Sequence, residues 1–226
     1  MSKLNKRLQH FWEEEKSLTI LFLILVVHIF VIIPFGEHTF LGKIIFLIFY
    51  ISLLSAGMFL LIKNAVLRTI CIIILAALIL LASDFLFKSA SFEIADDFIV
   101  VLYCILLSWV VLLRTFSTGP ITIHRIQGAV LVYLLIALIF ASLYHSIYLI
   151  NGEEAFKGLG SADRKEFMYF SLTTLTTVGY GDISAAIASG RSLANLEGLI
   201  GQLYPAILIA RLVSMEFESS KENKMK

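Results

Sequence analysis

Charge is scarce in this chain: Asp, Glu, Lys and Arg make up 15% of its 226 residues, apolar residues 59%, and the mean hydropathy is +0.91. Soluble domains carry about a quarter charged residues, so a solvated globular surface is excluded and an integral membrane protein is expected. A net charge of +1 offers no basic face, which argues against a nucleic-acid partner. Cysteine is nearly absent: Cys71 and Cys104 both lie in apolar runs and read as free thiols acting as small hydrophobes, not as a disulfide or metal pair. Internal repeats are lacking. No nucleophile, base and phosphate-binding loop occur together, and no histidine pair has metal-ligand spacing, so neither an enzyme nor a cofactor is expected. His28, His124 and His145 read as satisfied polar groups rather than proton sensors.

What the chain has instead is apolar length. Runs at residues 18–33, 44–62, 65–87, 98–113, 126–150 and 193–213 give an all-α architecture of six membrane spans. A membrane helix needs about 20 apolar residues, so the first and fourth runs must borrow flanks such as Pro34-Phe35 and Ile94-Ala95. The first run reads as an uncleaved anchor rather than a secretory leader. A seventh run, residues 167–176, is too short to span and fits a re-entrant helix buried in protein. With the amino terminus cytoplasmic, twelve of the eighteen Lys and Arg residues fall inside, which favours both termini inside and places Asp84, Glu93, Asp96 and Asp97 outside.

Directly after the short helix stands Thr176-Thr177-Val178-Gly179-Tyr180-Gly181-Asp182. A dehydrated K+ ion needs stacked oxygens in place of its water, and successive backbone carbonyls supply them only if the strand alternates between ordinary and left-handed dihedrals. Gly179 and Gly181 permit that alternation. Thr177 adds a hydroxyl at the inner end, Val178 and Tyr180 are free to point away and pack, and Asp182 marks the outer mouth. The ion would be held at Thr177, Val178, Gly179 and Tyr180, with Gly181 closing the strand and Thr176 supporting it from behind.

The motif and the runs around it resemble the tetrameric potassium channel superfamily over residues 166–217, its pore helix, filter and inner helix. The resemblance implies a homotetramer, because one pore loop per chain requires four chains to close the ring of carbonyls. Partners are then further copies of the chain, membrane lipids and K+, in a plasma membrane, the compact form looking like a bacterial inner-membrane member. Six spans with the pore loop between the fifth and sixth match the layout of voltage-gated and cyclic-nucleotide-gated channels. A voltage sensor needs several basic residues at every third position, each charge contributing about 2.3 kcal/mol per 100 mV. Residues 98–113 hold none, and Arg114 alone stands at the cytoplasmic end, so steep voltage gating is not expected.

The expected organisation is a cytoplasmic segment at 1–17, a four-helix domain at 18–114 without sensor arginines, a linker at 115–125, a pore domain at 126–217 and a charged tail at 218–226. The first segment is either an amphipathic helix on the inner leaflet or a frayed terminus. The four-helix domain reads as a collar or lipid-contact unit.

By the same resemblance, Tyr169 and Phe170 stand where bacterial relatives have two tryptophans and would form an aromatic cuff around Tyr180 of a neighbouring subunit. Phe170 brings no donor, so Asp182 needs water or the Tyr169 hydroxyl as partner. Thr173 stands where some relatives place a carboxylate behind the filter. Gly201, twenty residues beyond Gly181, falls at the family's hinge, and Pro205 can fix a kink. Gln202 would line the central cavity, and Ile209 and Val213 would form an apolar constriction that closes by dewetting, or else pack between subunits. Glu197, an ionisable group inside a span, either braces the filter by bonding Thr173 or Thr174, with proton sensing as a lesser role, or adds negative charge near the cavity. The leading reading is a potassium-selective channel; a weakly selective cation channel and a non-conducting modulatory subunit are the alternatives.

Overall fold

The computed structural model describes residues 16–36, 90–116 and 121–224. The runs at 44–62 and 65–87, most of the 1–17 segment, Cys71 and Asp84 lie outside them.

Helix α1, Lys16–Val27, passes through a π turn at His28–Ile32 into α2, Ile33–Gly36. The wide turn has a local cause: Pro34 lacks an amide hydrogen, and its ring would crowd the carbonyl four residues back in a regular helix. The Ile33 amide reaches back to the His28 carbonyl instead. Leu18, Leu21, Leu25, Ile29 and Ile33 form the buried stripe of this segment at helical spacing.

Helix α3, Ala90–Thr115, supplies the length that the run at 98–113 lacked, by adding a polar first turn with Glu93. Helix α4, Ile123–Asn151, starts at Thr122, whose hydroxyl accepts from the Arg125 amide at 3.4 Å and serves one of the open donors of the first turn. The link between α3 and α4 is short, so the two pack side by side and antiparallel. Asp97 meets His145 and Ser146 at one end, and Gly128 meets Thr115 and Val111 at the other. A Cβ at Gly128 would stand 2.7 Å from the Thr115 hydroxyl. Thr19 of α1 meets His124 and Gln127 near the start of α4, so α1 runs parallel to α4.

After α4, a 3-10 turn at Gly152–Ala155 leads to the two-residue strand β1, Phe156–Lys157, which pairs antiparallel with β2, Ser184–Ala185. Between the strands lie α5, Arg164–Leu175, and the glycine-bearing segment after it. The short helix expected at 167–176 is therefore present, starting three residues earlier, at Arg164, and ending one residue sooner, at Leu175. Helix α6, Ala188–Lys224, continues through Pro205 and beyond residue 217, so the expected tail at 218–226 is helical as far as Lys224. Among the described residues, three helical segments are long and apolar enough to cross a membrane: Glu93–Thr115, Ile123–Ala155 and Ala188–Met215. They cover the expected runs at 98–113, 126–150 and 193–213, and the shorter apolar helix Ser17–Ile32 covers the run at 18–33 without reaching that length.

Candidate functional site

Helix α5 aims its carboxyl end at the segment 176–182. Two backbone bonds hold the turn there, Thr177 N–H to Thr174 O and Gly179 N–H to Thr173 O, both at 3.0 Å. Positive φ occurs at Thr177 (58°), Gly179 (49°) and Gly181 (81°), alternating with Val178 and Tyr180. Both glycines adopt this region without a Cβ penalty, whereas Thr177 is strained and held by its surroundings. Alternation of this kind turns successive carbonyls toward one side of the strand. The hydroxyls of Thr173 and Thr174 donate to the Phe170 carbonyl at 3.0 and 2.7 Å, and that of Thr176 donates to the Leu172 carbonyl at 2.6 Å.

Asp182 accepts a hydrogen bond from the Tyr169 hydroxyl at 2.7 Å. That bond holds the Asp182 carboxyl below its ordinary range and pushes the phenol up to about 12. Tyr169 and Tyr180 stack with ring centroids 6.5 Å apart and planes 1° apart, within one chain. Phe170 does not join them. One residue on is about 100° around a helix, and its buried ring meets Tyr144 at 4.8 Å and Phe156 at 5.6 Å. Within one chain Tyr169 alone meets Tyr180 while Phe170 serves the interior; the expected cuff is a contact with Tyr180 of a neighbouring subunit.

Glu197 is fully buried and faces α5, but its partners are not Thr173 or Thr174, whose hydroxyls are turned back on their own helix. Tyr144 of α4 donates to Glu197 Oε2 at 2.6 Å, and Ser171 Oγ lies 2.5 Å from Oε1 and 2.8 Å from the Ala137 carbonyl. A serine hydroxyl has one proton and cannot donate to both acceptors. Every partner is satisfied when Ser171 donates to Ala137 and a proton on Glu197 points at Ser171 Oγ. The brace thus ties three helices together where apolar packing alone has little specificity.

Gly201 lies against the last residue of α5. A Cβ there would stand 1.9 Å from the Leu175 carbonyl oxygen, which also accepts from Tyr133 of α4 at 2.9 Å. Tyr133 stacks on Tyr204 at 5.8 Å, and Tyr204 donates to the Ala129 carbonyl at 2.8 Å. The inner helix is continuous across Gly201 and Pro205, and the glycine is a contact as well as a candidate pivot. Gln202, Ile209 and Val213 are exposed on this chain, on a different side of α6 from Glu197 and Gly201.

Several residues of the site escaped the sequence reading. Gly158, at φ 78°, lets the segment after β1 approach Asp182 so closely that a Cβ would fall 1.7 Å from the Asp182 carbonyl oxygen. Ser171, Tyr133, Tyr144 and Tyr204 looked like ordinary members of apolar runs. The available signal was spacing: Tyr133 and Tyr144 are eleven residues apart, three helical turns, and so share a face. Of the histidines, His124 lies 2.6 Å from the Thr19 hydroxyl and His145 lies 2.7 Å from Asp97. Cys104 is a buried free thiol.

A family model described as "Ion channel" matches residues 130–218, the stretch that holds α5, the alternating segment and most of α6. Protein LctB of Bacillus caldotenax is 34% identical over 107 residues, which cover 44% of this chain and 78% of that protein. No solved structure matches the chain.

Proposed function

The chain belongs to the ion channel family, and on that footing we propose that it is a potassium-selective channel conducting K+ through the backbone carbonyls of Thr177 to Gly181. The observation that carries this reading is the alternation of positive φ at Thr177, Gly179 and Gly181 in a Thr-Val-Gly-Tyr-Gly run at the carboxyl end of α5. A helix carboxyl end carries partial negative charge, which favours a cation at the inner end of the strand. A chemistry of catalysis is not part of the reading; conduction is passive.

Four copies would close the ring. Val178 and Tyr180 are 52% and 73% exposed on one chain, and side chains behind a filter pack on something when the filter is rigid. In the tetramer a neighbouring copy covers them, and α6 lines the pore with Gln202 in the cavity and Ile209 and Val213 at the constriction. Residues 126–217 are the pore domain and 18–114 a surrounding domain of four spans in contact with lipid, with both termini cytoplasmic. Helix α3 has no Lys or Arg before Arg114, so opening is not steeply voltage-dependent.

The test is flux from liposomes holding the purified chain under a K+ gradient, against Na+, with Gly179→Ala in parallel. The substitution puts a Cβ at φ 49° and should abolish K+ flux while the oligomer stays intact on sizing. Equal K+ and Na+ flux would refute selectivity. Unchanged flux in Gly179→Ala would refute the filter.

A further inference from the structure

The first turn of α5 breaks a local rule. The amino end of a helix is electropositive, so Asp and Glu are favoured there and Lys and Arg are not. This helix has Glu166 in its first turn, as expected, but Arg164 and Lys165 stand ahead of it. Lys165 is answered locally, by Asp163 at 3.3 Å. Arg164 is answered from a distant part of the chain: its guanidinium lies 2.6 Å from Asp96 and 3.3 Å from Asp97, both on α3. Asp97 is 1% exposed, and its other oxygen takes His145 at 2.7 Å and Ser146 at 3.2 Å, both on α4. His145 also lies 3.9 Å from Glu93 and packs its ring on Phe167, one turn along α5 from Arg164. Beside the cluster is a cavity of about 40 Å³ lined by His28, Asp97, Ser142, His145, Arg164 and Met168, among others.

A locally unfavourable charge answered by a buried acid on another element marks a site where local stability yields to another requirement. We propose that Arg164 is a positioning residue for conduction: it lets α3 hold the outer end of α5, and so fixes the strand that α5 supports. The inference rests on the channel reading for the meaning of that strand. Helix α5 has twelve residues, about 18 Å at 1.5 Å per residue, and no glycine or proline, so it moves as a rod. Its far end carries Thr173 and Thr174, whose carbonyls hold the Gly179 and Thr177 amides. A shift at Arg164 therefore reaches those two bonds. This gives the domain before the pore a task other than voltage sensing, for which its fourth span has no basic residue before Arg114: it sets the filter from the outside through an ionic contact.

The experiment compares the full-length wild-type chain with Arg164→Gln and Arg164→Lys in lipid, reading hydrogen exchange and K+ flux together. Arg164→Gln should raise exchange of the Thr177 and Gly179 amides about tenfold while the α3 amides stay as they were. Flux should fall severalfold at low K+ and recover at high K+, because a bound ion stabilises the state that holds it. Arg164→Lys, which keeps a charge on one nitrogen just as a single guanidinium nitrogen meets both Asp96 and Asp97, should restore both readouts to within about twofold. Unchanged exchange at Thr177 and Gly179 in Arg164→Gln would overturn the proposal, as would a loss of flux independent of K+ concentration. Should Arg164→Gln fail to assemble, Asp96→Asn at the half-buried end of the contact is read by the same criteria. Absence of K+ flux in the wild type would refute the channel reading, while the exchange data would still decide the role of Arg164.

Discussion

Helices α4 and α6 are both long and apolar, yet the most apolar window of α4 is 56% buried within the chain and that of α6 only 11%. The two solve different problems. Helix α4 finds its neighbours in its own chain, with α1 and α3 along its sides and α5 against its outer half. Helix α6 touches its own chain along a single stripe: Leu193, Ala194, Glu197, Gly201 and Tyr204 face α4 and α5, while Leu196, Leu199, Leu203 and Ile207 are left open. The stripe repeats at three and four residues, as a helix–helix seam does. An exposed apolar face of this length calls for lipid or further copies as its surroundings, and further copies are what the proposed channel supplies. Helix α4 thus completes a subunit, whereas α6 joins it only at the few contacts of that seam and keeps an open face for the proposed tetramer to cover.

Breaking the seam at its closest point should have the largest effect. Gly201→Ala sets a methyl group 1.9 Å from the Leu175 carbonyl oxygen, a backbone atom that no rotamer change can move. Overpacking of this kind costs about 1–3 kcal/mol or more, and here the strain falls on the carboxyl end of α5, directly before the proposed filter. Liposomes carrying the variant should show at least a tenfold loss of K+ flux. A variant with wild-type flux would mean that α6 stands further from α5 in the assembled channel.

A smaller effect is expected at Glu197, where the two substitutions should diverge. Glu197→Ala leaves the buried Tyr144 hydroxyl without its acceptor, at about 1–3 kcal/mol, while Ser171 keeps the Ala137 carbonyl. Glu197→Gln supplies an oxygen for Tyr144 and an N–H for Ser171, reproducing the arrangement that satisfies every partner. Thermal unfolding in detergent should drop for Ala and stay near wild type for Gln. If Gln instead abolishes the pH dependence of flux, Glu197 is a proton sensor in addition to a brace.

The sequence revealed the seam's ends better than its middle. The alternating segment could be read because its chemistry is local: two glycines at fixed spacing state a backbone requirement wherever the chain goes. The re-entrant helix and the three long apolar helices could be read for the same reason, as properties of runs. The partners of Glu197 could not, because which hydroxyl it meets depends on the rotation of α4 and α5 about their axes, and Ser171 differs from Thr173 by only two positions. The inward packing of Phe170 was not legible for a related reason: position relative to a relative's tryptophans does not say which way a side chain turns when its neighbour is Tyr144. Arg164 and Asp96 are 68 residues apart, and only the unfavourable charge at a helix start hinted that a distant acid was needed.

The last contrast lies within α5 itself, between Phe170 on the covered side and Tyr169 on the uncovered one. The bond from Tyr169 to Asp182 depresses the Asp182 pKa, so its contribution is fully present above the ordinary carboxyl value of 3.8 and is lost as the pH falls through the lower folded value. For Tyr169 the sign is opposite: its pKa is raised, so the contribution holds below the ordinary value of 10.0 and disappears as the pH rises through about 12. Between these limits the pair is insensitive to pH. Tyr169→Phe removes the donor and should move the acid limb of the flux profile upward, toward the ordinary carboxyl range, with a modest loss of flux at neutral pH. Both groups are solvent-accessible, so the change should be the smallest of the three. An acid limb that does not move would show that Asp182 exchanges Tyr169 for another donor in the assembled channel, and that the covering surface of a neighbouring copy, rather than this chain, sets the chemistry of the outer mouth.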